Sequence, residues 1–216
     1  MKPRSEDKYV IDLDQYSDLI ELLDKSYKKE NEYGVKSIYF DTHDFSLLKN
    51  SLNKKKFNHK FRLRKYTFNS ETLFLEEKNK NINNETEKIR TEVGLDFNYK
   101  TESSLKGYHP KILIKYDRVS YSNSILRITV DKNIKYKFVN KTDWHENLWH
   151  LDFTTIDYTR DKCVLEIKYS NIDKYLDMNL QNIIEGNNLY KNKFSKYVNC
   201  VLDGLMKGYY ENSHRW

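Results

Sequence analysis

A period of two in apolar and polar positions dominates this chain and predicts a fold rich in strands. In Lys60-Phe61-Arg62-Leu63-Arg64-Lys65-Tyr66, Phe61 and Leu63 share one face while Arg62 and Arg64 share the other, because successive strand side chains point to opposite sides. The same rhythm predicts strands over 4–12, 37–42, 57–68, 72–78, 85–92, 111–121, 125–131 and 162–169, with a further strand or two between 135 and 153. Turn chemistry at 81–84 joins two of these into a hairpin, and 122–124 reads as a second turn. Helical spacing of Tyr16, Leu19, Ile20, Leu23 and Tyr27 predicts a helix over 14–30, with Asp14 as its N-cap and Lys28-Lys29 near its other end. A short helix is expected over 44–52, and helices over 172–185 and 193–209 close the chain. Residues 94–109 read as loop or weak helix.

The polar faces repeat one signature. Arg4/Glu6/Lys8, Arg62/Arg64, Glu76/Lys78, Lys88/Arg90, Arg118, Arg127 and Glu166/Lys168 each stand opposite an apolar face. Neighbouring guanidiniums repel unless an anion lies across them, and their planar fork matches phosphate oxygens. An open sheet covered by helices on one side gives the same alternation with charges facing water. A sheet closed into a barrel would instead turn them inward, onto a polyanion such as a chain of phosphates. Glu6, Glu76 and Glu166 would then hold a divalent metal that bridges phosphate oxygens; equally, each carboxylate pairs with the lysine two residues on. Ser195 and Lys196 fall in the first turn of the last helix, where free backbone N–H groups bind anions.

Composition narrows the partners. The 216 residues carry 38 Lys and Arg against 32 Asp and Glu, a net charge of +6 that favours an anionic ligand. Hydrophobic content of 38% is modest, yet 18 Tyr and 10 Phe supply the burial a folded domain needs. One domain spanning 1–216 is expected, since two Pro and six Gly leave little room for a linker. Cys163 and Cys200 have no metal-ligand spacing and read as buried reduced thiols. No opening apolar run resembles a signal peptide and none approaches membrane-spanning length, which points to the cytoplasm. His145 and His150, among Trp144 and Trp149, form no ligand set and read as structural.

The blocks Arg4-x-Glu6-x-Lys8-Tyr9, Ser37-Ile38-Tyr39-Phe40-Asp41-Thr42, Phe61-Arg62-Leu63-Arg64-x-Tyr66, Phe74-Leu75-Glu76-x-Lys78, Lys88-x-Arg90, Tyr116-x-Arg118, Leu126-Arg127-Ile128-Thr129-x-Asp131, Val164-Leu165-Glu166-Ile167-Lys168-Tyr169 and Ser195-Lys196-Tyr197 resemble the VTC domain, in its order and over nearly the whole chain. That family belongs to the triphosphate tunnel metalloenzymes, related to the CYTH proteins. The resemblance implies an α+β fold: a closed antiparallel β-barrel tunnel of about eight strands, with helices packed outside and a helical C-terminus. It implies an enzyme that builds inorganic polyphosphate from the γ-phosphate of ATP with Mn²⁺ or Mg²⁺. Lys8, Arg62, Arg64, Lys78, Lys88, Arg90, Arg118, Arg127, Lys168, Ser195 and Lys196 would then contact phosphate, and Glu166 would bind metal. Arg62, Arg64, Arg118, Arg127 and Lys8 are the residues expected to serve the transfer itself.

The CYTH phosphohydrolases open with Glu-x-Glu-x-Lys, whereas Arg4 stands first here, the VTC form of the motif. A hydrolase of tripolyphosphate or nucleoside triphosphates, with Glu6 or Glu76 positioning water, is the second expectation. A non-catalytic polyphosphate-binding module is the third. Nucleic acid is not expected, because the tyrosines are scattered rather than placed as an RNA motif. ATP and polyphosphate or pyrophosphate are the partners expected.

Overall fold

The computed structural model describes residues 4–53, 58–80, 86–140, 156–157, 161–170 and 177–209. The strands are β1 (Arg4–Asp12), β2 (Lys28–Asp41), β3 (Asn58–Tyr66), β4 (Asn69–Lys80), β5 (Thr86–Val93), β6 (His109–Ser122), β7 (Leu126–Phe138), β8 (Ile156–Asp157) and β9 (Lys162–Ser170). The helices are α1 (Tyr16–Ser26), α2 (Ser46–Leu52), α3 (Met178–Gly186) and α4 (Lys196–Met206). The fold is α+β, and the strands hydrogen-bond in the order β1-β9-β7-β6-β2-β3-β4-β5, with β8 on β7.

The closed barrel is not formed by these pairings. The hydrogen-bonded path ends at β1 and at β5, and no pairing joins them among the described residues. Glu87 to Glu92 of β5 are exposed on both faces, and a charged, wet strand is a poor partner for closure.

Contacts divide the chain into two compact units, 1–34 with 116–134 and 159–194, and 35–115 with 135–158 and 195–216. In the first, β1 pairs with β9 and β9 with β7, both antiparallel. Tyr9, Ile11, Leu126, Ile128, Val130, Leu165 and Ile167 face a core that Leu19 and Leu23 of α1 and Leu180 and Ile183 of α3 complete. The opposite face carries Glu6, Lys8, Arg127, Thr129, Asp131, Glu166 and Lys168, as alternation requires. In the second unit β3 pairs with β2 and with β4, and β4 with β5. Ile38, Phe40, Phe61, Leu63, Leu73 and Leu75 form its core with Leu47 of α2. Gly204 lets α4 lie against the Phe138 ring, where a Cβ would collide.

The first expected helix differs at both ends. The first helix stops at Ser26, so Lys28 and Lys29 open β2 rather than closing a helix. Residues 28–32 are all exposed, so no buried face distinguished strand from helix there. Asp14 accepts from the Gln15 backbone N–H within a short 3-10 turn that precedes α1, instead of capping that helix. His145, His150, Trp144, Trp149 and the 81–84 turn lie outside the described residues. Cys163 and Cys200 are buried free thiols, as expected. No helix among the described residues is long and apolar enough to cross a membrane.

Candidate functional site

The polar face of the second unit is built on Arg62 and Arg64. Across the β3–β4 pair Arg62 meets Glu76, and across the β2–β3 pair it meets Tyr39. Arg62 Nε donates to Glu76 Oε2 at 2.6 Å, and its Nη1 donates to the Tyr39 hydroxyl at 3.0 Å. Arg64 Nε donates to Ser37 Oγ at 3.0 Å, and its Nη1 lies 3.5 Å from Glu76. From β5, Lys88 Nζ donates to Glu76 Oε1 at 2.6 Å, and Arg90 Nε approaches the same oxygen at 3.6 Å. Arg90 also lies over the Phe74 ring at 3.7 Å. Four cations thus surround one carboxylate that is 1% exposed.

Electrostatics follow from that crowding. Burial alone would raise the Glu76 carboxyl, but Arg62, Arg64 and Lys88 outweigh it and hold the group well below the usual carboxylate range. Burial likewise works to raise the Tyr39 phenol, yet Arg62, Arg64 and Lys196 pull it down to about 8. Lys88 is partly exposed, yet the side chains crowded around its ammonium strip water from it and lower it in spite of Glu76 beside it. Glu76, read from sequence as a metal ligand, has its oxygens turned to cations; a divalent ion would have to displace them. In this structure the carboxylate ties the four cations to one another.

Behind the arginines stands a support that sequence reasoning missed. Tyr39 stacks on Tyr197 of α4 with ring centroids 5.3 Å apart. Tyr197 donates its hydroxyl to Asp41, which also accepts from the Leu47 and Leu48 backbone N–H groups at the start of α2. The block 37–42 is thereby explained: Ser37, Tyr39 and Asp41 serve the polar face, Ile38 and Phe40 the core. Lys60 was missed too, although it continues the spacing of Arg62 and Arg64. It lies opposite Lys78, which lies opposite Lys88, and its Nζ donates to Ser195 Oγ at 3.1 Å. Ser195 caps α4, its hydroxyl accepting from the Val198 N–H, and Lys196 begins the helix.

The first unit gathers a different set. Lys8 Nζ is 2.7 Å from Glu6 and 3.7 Å from Glu166, while Lys168 Nζ is 2.5 Å from Glu166 and 3.9 Å from Glu6. Each lysine therefore bridges both glutamates. The pairing with the lysine two residues on, set beside metal binding in the sequence reading, is present for Glu6 and Glu166. Among the described residues no third acidic, His or Cys side chain joins them into a metal cluster. Two carboxylates suit Mg²⁺ or Mn²⁺ where phosphate and water complete the shell, so these residues fit such an ion. Arg118 turns its fork on buried Asp131, at 2.6 and 2.8 Å, and stays charged: burial opposes its charge but Asp131 overrides burial. Arg127 is exposed on the same face, opposite Lys168.

With this geometry in place, comparison with known proteins gives the class. The chain belongs to the VTC domain family, whose model matches residues 3–104 and 98–203. A Bacillus halodurans protein described as a candidate adenylate cyclase is 12% identical, with TM-score 0.56 over 90% of this chain and 94% of that one. HpAC1 from Hippeastrum, described as having a dominant triphosphatase activity, is 14% identical, with TM-score 0.52 over 89% and 93%. Protein PH1819 from Pyrococcus horikoshii OT3 is 14% identical, with TM-score 0.52 over 93% and 98%. At these identities the likeness shows the fold. Comparison with curated protein sequences finds no match.

Proposed function

We propose that the protein is a metal-dependent polyphosphate polymerase, transferring the γ-phosphate of ATP to a growing inorganic polyphosphate chain. The observation that carries this reading is the convergence of Arg62, Arg64, Lys88 and Arg90 on one carboxylate. That excess of positive charge is held ready before any anion arrives, so little reorganisation is needed when one binds. Membership of the VTC family supports the same reading, and Arg4 in place of a first carboxylate favours transfer over hydrolysis.

In this reading Arg62 and Arg64 hold non-bridging oxygens of the ATP triphosphate. Lys60, Lys78, Lys88 and Arg90, with Ser195 and Lys196, line up further phosphates. Within the first unit, Lys8, Lys168, Arg118 and Arg127 are read as the phosphate contacts. The terminal oxygen of the polyphosphate chain attacks the γ-phosphorus in line; a P–O bond forms as the bond to the β,γ-bridging oxygen breaks, and ADP leaves with that electron pair. No protein nucleophile is required, because positioning and charge neutralisation carry phosphoryl transfer. Glu166 and Glu6 would hold the Mn²⁺ or Mg²⁺, which neutralises phosphate oxygens when bound. Lys8 and Lys168 are then released from the carboxylates to phosphate. A cytoplasmic site of action is part of the proposal.

Incubation of the purified chain with ATP and Mn²⁺ tests it: a ladder of phosphate chains on a gel, with ADP formed in step, is expected. Hydrolysis is the second reading, favoured by the proximity of Glu6 and Glu166, which share Lys8 and Lys168 and offer carboxylates to orient water. Orthophosphate released from tripolyphosphate without chain growth would decide for it.

A further inference from the structure

Thr129 stands on β7 directly opposite Glu166 of β9, with Lys8 opposite Glu166 on the other side. It is 4% exposed, and its Oγ1 is buried without a hydrogen-bond partner. Its neighbours on the same face of β7 are Arg127, which is exposed, and Asp131, which is taken by Arg118. Valine has nearly the same shape, suits a strand as well, and carries no hydroxyl to leave unsatisfied. A hydroxyl buried at a desolvation cost beside a carboxylate that is ion-paired with Lys8 and Lys168 points to a second arrangement in which that hydroxyl is used.

We propose that Thr129 is a positioning residue for a divalent cation, its hydroxyl donating to Glu166 when that carboxylate turns from Lys168 to the ion. This rests on the reading of Glu166 as a metal ligand. One carboxylate oxygen goes to the cation and the other accepts from Oγ1, which fixes the carboxylate plane. Such outer hydrogen bonds orient ligating carboxylates, and their loss weakens metal binding by about 10–100-fold.

The test measures Mn²⁺ binding to the full chain without nucleotide, by the loss of the free-ion electron paramagnetic resonance signal. Thr129→Val is expected to bind Mn²⁺ about tenfold more weakly, and Thr129→Ser to bind as the native chain does, while thermal unfolding of the valine variant is unchanged or shifted upward. Glu166→Gln is expected to lose binding. Native-like Mn²⁺ affinity in Thr129→Val, with binding lost in Glu166→Gln, overturns the role of Thr129 alone. Native-like affinity in Glu166→Gln overturns the metal-ligand reading and the inference with it. If Thr129→Val does not fold, Thr129→Ala against Thr129→Ser carries the same comparison.

Discussion

Arg62 meets Glu76 through two nitrogens, Nε and Nη2, each 2.6 Å from the single oxygen Oε2. The other oxygen, Oε1, is left to Lys88 and Arg90. One carboxylate thus divides its two oxygens between strands β3 and β5, and its removal would leave like charges facing one another. Glu76→Ala should therefore cost about 3 kcal/mol of stability, the scale for breaking a buried pair on one side. Added tripolyphosphate should raise the melting temperature of this variant more than that of the native chain, because the anion replaces the lost carboxylate. Because the Glu76 carboxyl is depressed in the folded state, its contribution is complete above the ordinary unfolded value of about 4.3 and is lost as pH falls toward the folded value. Acid unfolding followed by circular dichroism should show the native chain losing its advantage over Glu76→Ala in that window.

Tyr39 offers a spectroscopic report on the same cluster. Its phenol, brought down to about 8 by Arg62, Arg64 and Lys196 against the effect of burial, should ionise well below the ordinary tyrosine value of about 10. Ultraviolet difference absorbance should detect that early step, and Tyr39→Phe should remove it. Bound tripolyphosphate neutralises the arginines and should move the step up toward the ordinary value of about 10. Since the folded value is depressed, the ionised phenol adds stability above pH 10 that is lost as pH falls through about 8.

The parts of this arrangement differ in how far the chain alone discloses them. Arg62, Arg64, Lys88 and Arg90 were legible because strand alternation puts i and i+2 on one face, and the structure keeps each pair there. The strand halves with a buried face were legible for the same reason. The first five residues of β2 were not: exposed throughout, they carry no period to read. Tyr39, Ser37 and Tyr197 were missed because their roles depend on partners in other elements: Arg62, Arg64 and Asp41. Glu76 was legible as a carboxylate on the charged face, but only cross-strand register reveals the cations that surround it. Closure of the sheet came from the family pattern, and alternation alone is the same in an open sheet.

On the other face of the same strands, Lys36 interrupts an apolar surface. It lies opposite Lys65, beside Ile38 and Phe40 of the core. Burial, then repulsion from Lys65 and Lys115, lowers its ammonium to about 8. A lysine with a depressed folded value opposes folding while charged, and that penalty fades as pH rises from about 8 toward the unfolded value of about 10.4. Lys36→Met should accordingly melt about 2–4 °C higher at neutral pH. The gap from the native chain should close by pH 10, as differential scanning calorimetry across that range would record.

Lys168 makes a tighter ion pair with Glu166 than Lys8 does, and a metal at that carboxylate must compete with it. Its Nζ sits 2.5 Å from Glu166 Oε1, and the carboxylate side chain is only 9% exposed, so an ion and the ammonium compete for one oxygen. Lys168→Met removes the competitor and leaves the carboxylate. If Glu166 is a ligand, this variant should bind Mn²⁺ several-fold more tightly than the native chain in the absence of phosphate. Tripolyphosphate should narrow that difference, because in the native chain it draws the ammonium away and frees the same oxygen. Binding of the anion and of the ion then favour each other through one lysine, and by linkage the factor is the same in either order of addition. Calorimetric titration of Mn²⁺ with and without tripolyphosphate, in both proteins, measures that factor: it should be well above one in the native chain and smaller in Lys168→Met. An equal factor in the two proteins would mean that Lys168 does not carry the exchange.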